Sequence, residues 1–432
     1  MIVNRINYNP FKFKYNKSKY FIVTVVFLLS TSVYFTANVA FLAAAFLLFG
    51  VMFFYKKINL TKDFKIILLA LTILHLANIL IYNFFSFRTV SGNYIRFLMP
   101  FFAVMLVGKR FPHYFVQVVK VFTIISFVFY IPANIIPGFN GLLQNIPRFL
   151  GTDPGESNHF IIYQVESATA LGLNIPVLRN SGPTGEPGEF AGYLILAMIF
   201  ELVLTKQFWT KNNILFFIAL LTTFSTAGYM GFFILISAHY LLFGNKTKRL
   251  ILFPLSVLLI MGVYYKFEFM YQKVDIQMKM VTSAKSIENI PRTARIPNLV
   301  RNTEDSFDNP IFGKGRSFET RYGSNYKNLK AQSISNNIGN FPVQFGWPFF
   351  LFYSFLMIMG FKALLFRYKM DSKYAYVFLL IIYTMAIAQG FLMTSVFISL
   401  IYLRGVYPSL SNKAVKSSRK ISYEPIHNHP YL

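Results

Sequence analysis

The sequence predicts an all-α integral membrane protein with about twelve transmembrane helices and two large extracytoplasmic loops. Three observations predict it. Only 13% of the 432 residues are charged and 55% are hydrophobic, with a mean hydropathy of +0.48; soluble chains carry about 25% charged residues. Apolar runs of bilayer-spanning length recur along the whole chain. The basic residues between those runs alternate by side.

Residues 1–19 read as a cytoplasmic tail, and residues 20–136 as five transmembrane helices. The first run, Tyr20 to Tyr55, is 36 residues long. One helix needs only about 20, so two short helices turning near Thr36–Asn38 are expected. The next runs are 64–85, 94–108 and 114–136. Arg96 and Pro100 make 94–108 a tilted or broken span. Residues 189–265 supply four more runs, 189–205, 213–226, 228–243 and 249–265, with a division at Ala227–Gly228. Residues 342–404 supply the last three, 342–366, 374–388 and 390–404, divided at Gln389–Gly390. Residues 405–432 read as a second cytoplasmic tail.

Cytoplasmic segments carry the excess of Lys and Arg. With the N-terminus inside, every inside segment is basic: Arg5–Lys19, Lys56–Lys65, Lys109–Lys120, Lys206–Lys211, Lys246–Arg249, Lys362–Lys373 and Arg404–Lys420; these segments hold 26 of the 42 positive residues. The formal charge of +26 therefore sets orientation, and no soluble domain is present to offer it to nucleic acid. The basic N-terminal region is long and no small-residue cleavage site follows the first run, so it reads as a start of topology, not a signal peptide. With no Cys, disulfides, thiolate catalysis and Cys-based metal sites are excluded. No Asp-x-Asp occurs, and no cofactor or metal is expected. Glu304, Asp305 and Asp308 read as a helix-start cluster.

The long polar segments 137–188 and 266–341 fall on the non-cytoplasmic side. Together with Glu189 at the edge of the first, they hold 12 of the 16 carboxylates. The second also holds 12 Lys and Arg, for a net charge of about +5 (12 minus 7 carboxylates). Solvated loops need charge, which is the plain reading; a mixed-charge site for an anionic substrate is the sharper one. In Arg179-Asn-Ser-Gly-Pro-Thr-Gly-Glu186-Pro187-Gly188-Glu189, Glu186 reads as an N-cap, Pro187 as the first helical residue and Glu189 as the third. An ordinary helix start explains this stretch, and so does a pair of carboxylates beside Arg179 at the membrane surface. Arg292, Arg295 and Arg301 line one side of a helix over 292–306, which Pro297 weakens; Arg316 follows. Arginine forks match phosphate oxygens. The outside His159 is a further base candidate, and Tyr163, Tyr322, Tyr326 and Trp347 are candidates for stacking on sugar rings. His75 and His239 lie in predicted spans, where a carbonyl partner is the simpler role.

At these residues the chain resembles the bacterial O-antigen and capsule polymerases (Wzy-type), which share their architecture with the O-antigen ligases. The resemblance spans roughly residues 20–405. It rests on the many short spans with two large outside loops, on Arg179-x-x-Gly182 leading into Glu186-Pro187-Gly188, and on Thr223-Phe-Ser225-Thr-Ala-Gly228. It rests also on Arg295, then Asn309-Pro310-Ile311-Phe312-Gly313-Lys314-Gly315, then Ser335-Asn336-Asn337 ahead of a span with Gly346. The ligase branch carries His-Asn where this chain has Ser335-Asn336, which favours polymerase.

The resemblance implies a polytopic architecture of the GT-C-like kind in a bacterial plasma (inner) membrane, with both termini cytoplasmic. It implies polymerisation of undecaprenyl-diphosphate-linked oligosaccharide repeats at the outer face. Donor and acceptor would both be lipid-linked oligosaccharides; membrane lipid, a chain-length regulator and a flippase would be partners, and nucleic acid would not. Arg179 and Arg295 are expected to stabilise the leaving diphosphate, with Arg292, Arg301, Arg316, Asn336 and Asn337 binding substrate. Glu186, then Glu189, is expected as general base. An O-antigen ligase and a lipid-linked oligosaccharide flippase or other transporter remain alternatives. Transporters place charge at the bilayer midplane, whereas here it sits outside.

Overall fold

The computed structural model describes residues 16–31, 39–143, 159–160, 163–167, 178–243, 295–322 and 337–407, with scattered positions between 254 and 281. The expected span 249–265 lies outside the described residues, apart from the helical positions Pro254, Leu258 and Gly262. Arg292, Asn336 and Tyr326 lie outside them too.

The described chain is mostly helical. Four stretches are long and apolar enough to cross a bilayer: Lys62–Tyr82, Phe87–Ile135, Pro187–Thr205 and Ile338–Arg367. Five shorter apolar helices accompany them. This is the composition and layout of a helical membrane protein.

Local sequence sets the helix boundaries. Helix α1 (Lys17–Leu28) is capped by the Asn16 side chain, which accepts from the Lys19 amide. The long first run does divide: α2 (Val39–Tyr55) is a separate helix. Helix α3 (Lys62–Tyr82) starts under a Thr61 cap and ends with Asn83 in the left-handed conformation. Helix α4 (Phe87–Val107) starts under Ser86 and runs straight through Pro100, so it begins seven residues before the expected span and is long enough to cross. A 3-10 turn, Gly108–Arg110, joins it to α5 (Phe111–Ile135).

Within the first loop, β1 (His159–Phe160), β2 (Tyr163–Ser167) and β3 (Leu178–Gly182) form a small antiparallel sheet, with Glu166 paired to Arg179 in the register. Helix α6 (Pro187–Thr205) follows, buried along almost its entire length. It packs on α5, on α7 (Lys211–Thr222), on α8 (Thr226–Phe243) and on β3. The α7–α8 turn falls at 223–225, ahead of the expected Ala227–Gly228, because Ser225 accepts from the Gly228 amide and so starts α8.

In the second loop, α9 (Arg295–Phe307) and α10 (Phe318–Tyr322) precede α11 (Asn337–Arg367). Then come α12 (Tyr374–Ala388), α13 (Ser395–Ser399), a 3-10 turn over Leu400–Tyr402 and α14 (Leu403–Val406). Gln389 ends α12 in an extended conformation, at the expected division.

Contacts between distant segments sort the helix ends into two groups. At one end, Lys19 Nζ donates to the Val107 carbonyl at 2.8 Å, Tyr407 donates to the Lys109 carbonyl at 2.6 Å, and Arg404 lies 3.5 Å from Asp63. At the other, Asn78 and Tyr82 at the end of α3 reach the carbonyls of Phe312 and Gly313. Asn134 at the end of α5 accepts from the Leu178 amide at 2.9 Å. Both loops are thus docked on the same end of the helix assembly, opposite the basic connections.

Candidate functional site

The first loop delivers its motif through β3. Asn180 is fully buried; its Nδ2 donates to Ser126 and Thr222, each at 3.1 Å, and its Oδ1 accepts from the Gly182 amide at 2.9 Å. These bonds pin β3 to α5 and α7. The Thr184 hydroxyl lies 2.7 Å from the Ser181 carbonyl and 2.8 Å from that of Glu186, which tightens the turn into α6. Glu186 takes the N-cap backbone conformation and Pro187 the first helical position, yet the Glu186 side chain makes no capping bond.

That carboxylate turns instead to Arg295, whose Nη2 lies 2.6 Å from Glu186 Oε2. The two positions are 109 residues apart. Arg295 is the first described residue of α9, so the pair ties the start of α6 to α9. The start of α6 carries the partial positive charge of a helix N-terminus, a setting that favours anions. The Glu186 side chain is 47% exposed and that of Arg295 17%, so the carboxylate is accessible from solvent. Glu189 sits one turn further into α6 on the same side as Glu186.

Arg179 is buried. Its Nε donates to the Thr223 carbonyl at 3.1 Å and its Nη2 to the Phe224 carbonyl at 3.3 Å. These are the carbonyls at the C-terminal end of α7, which carries the negative end of the helix dipole. Arg179 thus ties the first motif to the Thr223–Gly228 turn.

Proline 297 does not break α9. The described residues Arg295–Phe307 are helical on both sides of it. Glu304, Asp305 and Asp308 lie at the far end of α9 or just past it, not at a helix start. Asp305 has a different task. Arg321 on α10, 5% exposed, places its Nη2 2.6 Å from Asp305 and its Nε 3.1 Å from the same oxygen. It also donates to Asn302 at 2.7 Å and Asn340 at 2.8 Å. This clamp locks α10 and α9 onto α11. Arg301 lies 3.9 Å from Asp305, on the same helix as Arg295 but toward its other end. Arg316 lies beyond that end, beside α3 and α4. Asn337 is the first residue of α11.

The Asn309–Gly315 motif docks into a break in α11. Gly346 has φ +77° inside that helix. The lost helical bonds are replaced from the loop: Lys314 and Gly315 amides donate to the Val343 and Gln344 carbonyls at 2.6 and 3.1 Å, and the Trp347 amide donates to the Pro310 carbonyl at 2.8 Å. A Cβ on Gly346 would overlap the Ile311 carbonyl.

Two of the aromatic candidates for sugar stacking are committed elsewhere. Tyr163 is 1% exposed and stacks on Phe129. Trp347 stacks on Phe307 and donates to Ser306. His75 lies in α3, 3.5 Å from the Asn93 side chain. Among the described residues no group of His, Asp and Glu could hold a metal. Sequence reasoning missed the Arg321 clamp. Asn302 and Asp305 share a face of α9 by their spacing of three, but nothing in the chain pattern says which cation arrives there.

Comparison of the chain with family models, curated proteins and solved structures found no match.

Proposed function

We propose that this protein is a Wzy-type polymerase, joining undecaprenyl-diphosphate-linked oligosaccharide repeats at the outer face of a bacterial plasma membrane. The observation that carries the reading is the Glu186–Arg295 pair. It unites the two sequence motifs of the two long loops at the start of α6.

The chemistry follows from that arrangement. The acceptor hydroxyl oxygen attacks the anomeric carbon of the donor sugar. The bond from that carbon to the diphosphate oxygen breaks, and the diphosphate leaves with the electron pair. Arg295 and the start of α6 stabilise the charge that gathers there without reorganising. Arg295 then exchanges one anion for another, carboxylate for diphosphate. Glu186, released from its partner, accepts the hydroxyl proton, a role that contributes typically about 10²–10⁴-fold. Arg179 holds the β3–α6 entry and the α7–α8 turn in register behind the pair. Holding two lipid-anchored substrates in one orientation supplies a further part of the rate.

The test is deletion of the gene followed by analysis of the surface glycan. A single repeat with no ladder supports a polymerase. Loss of all repeats at the surface would mean a flippase, and full-length polymer stranded on the lipid carrier a ligase.

A further inference from the structure

A second group of cations has no role in the reaction above. Arg316, just past the Asn309–Gly315 loop, lines an open groove between α3, α4 and the second loop. Arg96, on α4, is near enough for its charge to act on Arg316. Among the described residues neither arginine has an ion pair or a hydrogen bond. Burial, and after it the charge of Arg96, draws Arg316 down to about 9; it is still a cation at neutral pH. Two like charges held together without a counter-ion are costly. Arg301, Arg321 and Lys314 nearby all have Asp305 or Asp308 to meet.

The rest of the groove carries the complementary signal. Asn78 and Asn93 line it, and the Oδ1 of each is buried without a partner. A buried acceptor without a donor costs about 1–3 kcal/mol, so both await hydroxyl or amide protons. Ser317 and Thr320 add hydroxyls. Outside the groove, α3 exposes Leu69, Ile73, Leu76 and Leu80 along one side, and Phe85 and Phe87 follow at the α3–α4 turn. That surface fits hydrocarbon chains.

We infer that Arg96, Arg316, Asn78 and Asn93 form a binding site for the head of a lipid that carries both phosphate and hydroxyl groups, with its chains lying along α3. The phosphate meets the two arginines, and the hydroxyls donate to the two asparagine oxygens. The site is separate from the Glu186–Arg295 pair: Arg295 opens α9 and Arg316 lies past its other end, with a helix of roughly 20 Å between them. It stands whether or not the protein polymerises glycan. Two sources have this chemistry, phosphatidylglycerol and a polyprenyl-diphosphate-linked sugar.

The experiment uses the purified full-length chain in detergent. Binding is measured with phosphatidylglycerol, with polyprenyl-diphosphate-linked N-acetylglucosamine and with phosphatidylcholine, whose head has no hydroxyl. Phosphatidylcholine is expected to bind weakest. Arg316→Gln and Arg96→Gln are each expected to weaken the preferred lipid by at least about tenfold, or about 1.4 kcal/mol. Arg316→Lys keeps the charge and is expected to retain most of the affinity. Without lipid, both Gln variants are expected to raise Tm, because they relieve an unpaired like-charge contact; an arginine that merely held the fold would lower it. Preference for either hydroxyl-bearing lipid supports the site and names its source. Equal binding by wild type and both Gln variants, equal binding of phosphatidylcholine, or a fall in Tm in both Gln variants would overturn it.

Discussion

Glu186 and Arg295 differ from the other charged side chains of the two long loops in how little the fold asks of them. Their pair is half open to solvent, and exposed pairs are worth about 0–1 kcal/mol. Arg295→Ala and Glu186→Gln are therefore expected to leave protein level and Tm nearly unchanged while abolishing chain extension, read from the glycan ladder. Near-normal ladders from both would remove the diphosphate-and-base assignment. Arg321 is the opposite case. Its guanidinium is almost fully buried and meets Asp305, Asn302 and Asn340. Arg321→Ala leaves Asp305 only its longer contacts to Arg301 and Lys314 and leaves the Asn302 and Asn340 oxygens without this donor; it is expected to cost about 1–3 kcal/mol, seen as a lower Tm and lower yield. Arg321→Lys should recover little, because one ammonium cannot reproduce the fork. The Glu186 N-cap position was legible from Glu-Pro-Gly-Glu alone, since proline at the first helical position is a local rule. Its partner was not, because Arg295 lies 109 residues away and only packing brings it there.

At the scale of elements, the break in α11 is the feature with the clearest consequence. Gly346 and the Asn309–Gly315 loop are one unit: the loop supplies the hydrogen bonds that the helix gives up. Gly346→Ala is expected to cost about 1–2 kcal/mol through its positive φ alone, and more through overlap with the Ile311 carbonyl. Undocking of the loop would be read as faster protease cleavage between α9 and α11; unchanged cleavage would mean that the break tolerates a side chain. Asn-Pro-Ile-Phe-Gly-Lys-Gly and Gly346 were both visible as sequence features. That one plugs the other was not, because the complementarity is between backbone groups, which carry no residue code.

For the molecule as a whole, the grouping of helix ends makes sidedness testable. The natural chain has no Cys, so a single introduced thiol is a clean reporter. Cysteine at the exposed Phe307, just after α9's Asp305, is expected to react with a membrane-impermeant maleimide added to intact cells. Cysteine at the exposed Tyr55, at the end of α2 beside the basic connections, is expected to react only after the membrane is opened. The reverse pattern would invert the proposed orientation and place the Glu186–Arg295 pair on the cytoplasmic side.

The sequence by itself determined that this chain is helical and apolar and where many of its described helices begin and end. Those properties are local: burial in lipid demands apolar runs with internal hydrogen bonding, and caps and prolines act within a turn. Only the tertiary structure decided which of those residues meet. It joined Glu186 to Arg295, gave Arg179 to the carbonyls after α7, gave Asp305 to Arg321, and left Arg316 lining a groove near Arg96, with no acid paired to either among the described residues. Each of those outcomes depends on charges and backbone groups far apart in the chain arriving at one place, and arrival is settled by how the helices pack.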